Sequence, residues 1–157
     1  SEMAKMTSTG LIIGVSAATP ATEDAAGYAL LTYTDIGGVT GVGAFGAAAA
    51  LVESNPLATG ITEKYKGFVN YGSISLDSDY DPEDAGQAIL ELAVEDIGTG
   101  GAAYDRHSFK VTYQTGAVRY FQGKVFSVPE NPGSTNSMVT RSISVELETK
   151  IIRVAAP

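Results

Sequence analysis

The residues with the plainest chemical potential are Gly41-Val42-Gly43-Ala44-Phe45-Gly46, a literal G-x-G-x-x-G. In a dinucleotide fold such glycines let the backbone approach a pyrophosphate at a helix N-terminus. Glu63 follows 22 positions after the first glycine, near where a ribose-binding acid would sit. The chemistry needs a helix from residue 46 and further βαβ units. Asn55-Pro56 would cut such a helix short, so the run reads as a flexible Gly-rich connection. Lys66-Gly67-Phe68-Val69-Asn70-Tyr71 has the look of an RNA-stacking strand, but it lacks two residues of that octamer and sits in an acidic chain. Asp77, Asp79, Asp81, Glu83 and Asp84 form the densest carboxylate cluster. A calcium loop starting at Asp77 would need glycine at Pro82 and glutamate at Ala88. Capping and the helix dipole account for Asp81, Glu83 and Asp84 without a metal. His107, the only histidine, is expected to be exposed at a strand start, and no G-x-S-x-G elbow accompanies it. The reading is therefore of a non-enzyme, with no catalytic residue, cofactor site or metal site.

The elements that carry these residues are mostly strands. Leu11 to Val15 reads as a strand, Ala17 to Gly27 as a loop of small residues, and Tyr28 to Ile36 as a second strand. Val42 to Val52 reads as a strand despite its alanines, followed by a loop from Glu53 to Gly60. Ile61 to Tyr80 alternates with a change of phase near Gly67 and Gly72, which predicts a bulge or bend. Residues 82–97 form the one predicted helix, with Asp81 as N-cap, Pro82 in the first turn and Gly98 as its stop. Its buried stripe is expected at Ala85, Ala88, Ile89, Leu92, Ala93 and Val94 or Ile97. Ser108 to Tyr113 and Ala117 to Val128 make a hairpin across Gln114-Thr115-Gly116, and a loop from Asn131 to Ser137 follows.

The last of these elements is the most informative. From Met138 to Val154, the residues Val139, Ile143, Val145, Leu147 and Ile151 share one parity. Thr140, Ser142, Ser144, Glu146, Glu148 and Lys150 share the other. Side chains alternate across a strand, so this reads as one long strand with a dry and a wet face. Arg141 interrupts the dry side.

Composition narrows the field further. The 157 residues suit one domain, there is no cysteine for a disulfide or thiolate site, and the longest apolar run, Ala44–Val52, is too short to span a membrane. Glycine is enriched (18 residues) and charge is sparse (18%), which suits a subunit that covers much of its surface with copies of itself. The net charge of −8 opposes tight nucleic-acid binding. It divides as −4 over residues 1–60, −7 over 61–104 and +3 over 105–157. Opposite signs on different segments suit either a polar, head-to-tail contact between copies or the solvated faces of a monomer.

Taken together, these elements predict an α+β, mainly β chain: an antiparallel β-sandwich or barrel with one flanking helix. Residues 1–9 form an N-terminal segment, 10–154 a single β domain and 155–157 a short tail. Two segments carry a resemblance. Gly10 to Thr40, with its "PAT" loop and Tyr33-Thr34-Asp35-Ile36-Gly37-Gly38-Val39, resembles the opening of tail tube proteins of long non-contractile phage tails. Ser108 to Val154, with its hairpin, NPGS loop and alternating strand, resembles the closing half of that family.

The resemblance implies protomers in a hexameric ring, with rings stacked into a tube that conducts DNA as transient, non-specific cargo. It implies a virion tail location, with assembly in the bacterial host cytoplasm. Implied partners are further copies, a tape-measure protein, a tail terminator, baseplate or tip proteins and an assembly chaperone. Ser142, Ser144, Glu146 and Glu148 are the expected lumen-facing residues, and Arg141 becomes a candidate subunit contact. Residues 41–80, with Gly41, Gly43, Tyr65, Gly67, Tyr71 and Gly72, are the expected inter-ring loop or hairpin. The competing readings are an Ig-like adhesin module on a virion and the tube subunit of a type VI-like injection device.

Overall fold

A computed structural model describes residues 5–96 and 106–157. In chain order the elements are β1 (Ile12–Ser16), α1 (Ala25–Ala29), β2 (Thr34–Asp35), β3 (Val39–Val42), β4 (Ala48–Ser54), β5 (Glu63–Asn70) and β6 (Ser73–Asp79). They continue with α2 (Ala85–Glu95), β7 (His107–Thr112), β8 (Val118–Ser127), β9 (Glu130–Asn131), β10 (Thr140–Leu147) and β11 (Ile152–Val154). Nine strands form one antiparallel sheet in the order β2-β1-β7-β8-β10-β6-β3, with β11 on β8 and β9 on β10, while β4 and β5 pair only with each other. The fold is mainly β as expected, but the sheet does not close into a barrel.

The alternation read at the C-terminus sets the register of the sheet centre. Arg141, Ile143, Val145 and Leu147 are buried, whereas Ser142 and Glu146 are exposed. Ile143 and Val145 join Phe109, Val111, Phe121, Val125, Ile74 and Leu76 in one apolar core against Leu90 and Ala93 of α2. Burying each such side chain contributes about 1.5–3 kcal/mol, so one-residue slippage of β10 would be prohibitive. The long strand is nevertheless split. Leu147 lies opposite Gly123 and Ile152 opposite Tyr120, so two extra residues are looped out between β10 and β11 along the same edge of β8. Thr149 is buried in that loop, and its hydroxyl accepts from the Gln122 N–H at 3.0 Å. That hydrogen bond gives the bulge a partner where the ladder has none.

Around α2 the structure corrects the expected boundaries. The N-cap is Asp84, not Asp81: its carboxylate accepts from Gln87 N–H (2.9 Å) and also from Gly37 N–H (3.1 Å). Asp81 instead accepts from Glu83 N–H, forming a turn before the helix. The buried stripe is Gly86, Gln87, Leu90 and Ala93, and Leu92 is largely exposed. Two packing demands rotate the helix. A Cβ on Gly86 would stand 2.4 Å from the Asp35 carbonyl oxygen, so the helix approaches β2 backbone-to-backbone there. Gln87 is drawn inward because its amide donates to the carbonyls of Gly37 (3.0 Å) and Asp79 (2.9 Å). The expected stop at Ile97 and Gly98 lies outside the described residues.

The expected strand from Tyr28 to Ile36 is mostly absent. Asp24 caps α1 by accepting from Gly27 N–H at 2.7 Å, which turns Ala25–Ala29 into a short helix within the presumed loop and strand. Its Tyr28 is fully buried and stacks on Tyr120 with ring centroids 5.2 Å apart. This segment covers the second face of the sheet at β7 and β8, where Ser108 Oγ donates to the Ala18 carbonyl (2.7 Å). His107, expected to be exposed, is buried. Among the described residues, none covers the second face of β10 and β6 in this way.

Candidate assembly surfaces

The first candidate surface is that uncovered face. Register places Ser142 opposite Asp77, Ser144 opposite Ser75 and Glu146 opposite Ser73. Ser142 Oγ donates to Asp77 Oδ1 at 3.2 Å. Ser142, Ser144 and Glu146 thus share a strip of hydroxyls and carboxylates with Asp77, a residue the sequence reading had considered only as the start of a rejected calcium loop. Glu148 differs from its companions. It sits in the bulge between Arg106 Nε (2.6 Å) and Lys124 Nζ (3.1 Å), its side chain only 27% exposed. Burial pushes its pKa up, but hydrogen bonds and charge from Arg106 and Lys124 outweigh this and hold it below the ordinary glutamate value. Its charge is spent inside the protomer.

Arg141 is likewise internal rather than a free subunit contact. It is 2% exposed, its guanidinium pairs with Glu91 of α2 and with Glu130 of β9 (2.8 Å), and it lies 4.4 Å over the Tyr80 ring. The polar interruption on the dry face therefore ties the helix to the sheet. Its Nε and Nη1 find no acceptor among the described residues.

The second candidate surface is the β4–β5 arm. Every residue of β4 and all of β5 except Gly67 are exposed, although the arm carries Leu51, Val52, Tyr65, Phe68 and Val69. Val52 stands opposite Tyr65, and a Cβ on Gly67 would come within 3.1 Å of Val52 Cγ2 and 3.3 Å of Ala50 Cβ, so one face of the arm is free of charge along its middle. Phe68 is 93% and Leu57, in the tip, 100% exposed. A lone two-stranded hairpin is marginal in water, and clustered apolar exposure marks a contact surface. At the root, Gly46 (φ 151°) and Gly72 (φ 73°) occupy positive-φ backbone where the chain leaves and rejoins the main sheet.

Only part of the expected inter-ring set lies on this arm. Tyr65 and Gly67 do. Gly41 belongs to β3 opposite Asp77, and the Gly43 N–H donates to the Ser75 carbonyl at 2.7 Å. Tyr71 packs against the core, and the Gly72 carbonyl accepts from Leu147 N–H at 2.9 Å. The phase change seen in Ile61 to Tyr80 is thus the turn joining two strands of different sheets, with a bulge opposite Ala50 as well. The G-x-G-x-x-G run leads into strand β4, so it presents no helix N-terminus to a phosphate. Among the described residues, no group of three His, Cys, Asp or Glu side chains is placed to hold a metal.

No protein-family model matches the chain, and no curated protein matches its sequence. Solved structures do match its fold. The tail of an empty gene transfer agent particle, determined with C6 symmetry, superposes with a TM-score of 0.62 at 16% identity, over 92% of this chain and 96% of that one. The SPP1 tail tube gives 0.63 at 14% identity, over 95% and 78% of the two chains. The sheath–tube complex of an extracellular contractile injection system gives 0.66 at 13% identity, over 97% and 93%. Across nearly its whole length, the chain has the fold of phage tail tube proteins.

Proposed function

We propose that this chain is a structural, non-catalytic subunit of a phage-type tail tube, assembling as rings that stack into a conduit for DNA. The observation that carries the reading is the β4–β5 arm, whose apolar side chains have no cover among the described residues. An arm on one surface that meets a different surface of the next copy makes a heterologous contact, which grows as a filament. The short edge strands β2 and β3 offer unpaired backbone for side-by-side joining of sheets within a ring. The Ser142, Ser144, Glu146 and Asp77 strip is the wall of the lumen. Its carboxylates repel phosphate, so DNA passes without sticking; at physiological salt this repulsion acts within about 8 Å.

On this reading the partners are first other copies, then a terminator and baseplate proteins at the two ends, a tape-measure protein within the growing tube and an assembly chaperone. The location is the virion tail, reached from the host cytoplasm. A tube of a contractile injection system is the nearest alternative device, since matching structures include assemblies of that kind.

The test is negative-stain microscopy with light scattering over a concentration series. The full chain is expected to form rings or tubes. Replacing residues 48–70 by a short Gly-Ser link is expected to leave a chain with unchanged far-UV circular dichroism per remaining strand that stays monomeric. Tubes from the arm-less chain would refute the assignment of the arm. A full chain that stays monomeric throughout and binds a glycan would favour the adhesin reading instead.

A further inference from the structure

The structure assigns an acceptor for the arm: a groove between β3 and β11 that receives the arm tip of a second copy. This rests on the tube reading and names the surface through which it works. The groove has a volume of about 400 Å³ and is lined by Leu11, Val42, Phe45 and Tyr113, with Arg119 and Arg153 at its polar side. Arg119 and Arg153 are direct cross-strand partners. Like charges directly opposite destabilise a sheet, and among the described residues neither arginine is bridged to a carboxylate. The Arg119 side chain lies over the Tyr113 ring at 5.3 Å, and among the described residues its guanidinium donates to the carbonyl of neighbouring Val118 alone. The pair is arranged for an acidic visitor with an apolar end.

The arm tip has that chemistry. Leu57 and Ile61 are exposed in it, Glu63 begins β5 opposite Ser54, and Glu53 lies near the end of β4 opposite Lys64, which leaves residues 53–64 with a net charge of −1. The visitor must come from another copy. Val42 to Phe45 in the groove wall are the root of the protomer's own arm, and seven residues of β4 carry the tip about 23 Å away. The chain's net charge of −8 and its acidic strip argue against nucleic acid as the occupant.

The experiment is charge exchange in the full chain, read as the concentration at which tubes appear. Arg119→Glu with Arg153→Glu is expected to raise it at least about tenfold, and so is Glu53→Lys with Glu63→Lys. Combining all four substitutions is expected to bring it back to within about threefold of the unaltered chain. As a second measure, Leu57→Cys with Val42→Cys, in a chain that otherwise lacks cysteine, is expected to give linked multimers under diamide in assembled protein, and neither single variant should. Unchanged assembly of the arginine variant overturns the docking site while the tube reading stands. So does loss of duplex DNA binding in that variant with assembly intact. So do tubes of the double-cysteine chain that yield no linked chains. An unaltered chain that never assembles removes both readings.

Discussion

Charge reversal at two glutamates of equal parity, Glu146→Lys and Glu148→Lys, separates a surface charge from a structural one. On alternation alone the two should behave alike. In the structure Glu148 joins Arg106 at 2.6 Å and Lys124 at 3.1 Å, with all three side chains 21–28% exposed. Exposed pairs contribute about 0.2–1 kcal/mol each; hydrogen-bonded geometry and partial burial put these two near 1 kcal/mol apiece after screening. A lysine there loses both and adds a third cation to the cluster, at a further cost of about 1 kcal/mol once solvent relaxes it. The total is about 3 kcal/mol. Glu146 is exposed, and a lysine in its place faces Lys124 across the ladder, which costs at most about 1 kcal/mol. With a urea dependence of about 1–3 kcal/mol per molar, the Glu148→Lys midpoint should fall about 1 M below that of Glu146→Lys. Functionally the order reverses. Glu146→Lys should leave folding and tube length intact but make tubes retain short duplex DNA, with retention falling steeply between 50 and 200 mM salt. Equal urea midpoints would refute the ionic role of Glu148. Tubes of Glu146→Lys that retain no more DNA than the unaltered protein would refute the lumen assignment.

Acid titration tests the same cluster. Because the folded pKa of Glu148 lies below its ordinary value of 4.5, its contribution is present above that value and is lost as pH falls through the folded one. Urea midpoints of the unaltered chain should therefore converge on those of Glu148→Gln as pH drops below 4.5, and a constant gap would refute the shift. At Arg141, replacement by alanine should cost about 2–3 kcal/mol through lost packing and pairing, because Glu91 and Glu130 are half-exposed and can rehydrate. Replacement by methionine should cost less than about 1 kcal/mol, since it fills the space and removes two buried guanidinium nitrogens that have no acceptor among the described residues; equal losses for both variants in urea unfolding would count against this.

The sequence was most legible where one local rule operated alone. The alternation of Thr140 to Leu147 named the buried face residue by residue, and the β7–β8 hairpin followed from Gln114-Thr115-Gly116. Reading failed where a distant partner decided. Asp84 outcompetes Asp81 as cap because it also accepts from Gly37, 47 positions away in sequence. The Ala25–Ala29 helix and the burial of Tyr28 depend on a sheet face supplied by Tyr120. Ile61 to Tyr80 showed its break in phase but not that the two halves belong to different sheets.

For the candidate surfaces the division is similar. Sequence by itself determined which side chains of β10 share the wet face, because strand geometry alternates whatever the surroundings. It determined the acidity that keeps nucleic acid at a distance, since charge is a sum over residues. Only the tertiary structure decided that Glu148 is neutralised by Arg106 and Lys124, that Arg141 ties α2 to the sheet, and that Tyr65 and Gly67 stand on a detached arm while Gly41, Gly43, Tyr71 and Gly72 lie at its base or within the main sheet. Each of those depends on side chains or strands brought together across long stretches of chain, and such pairings are set by packing rather than by any local pattern.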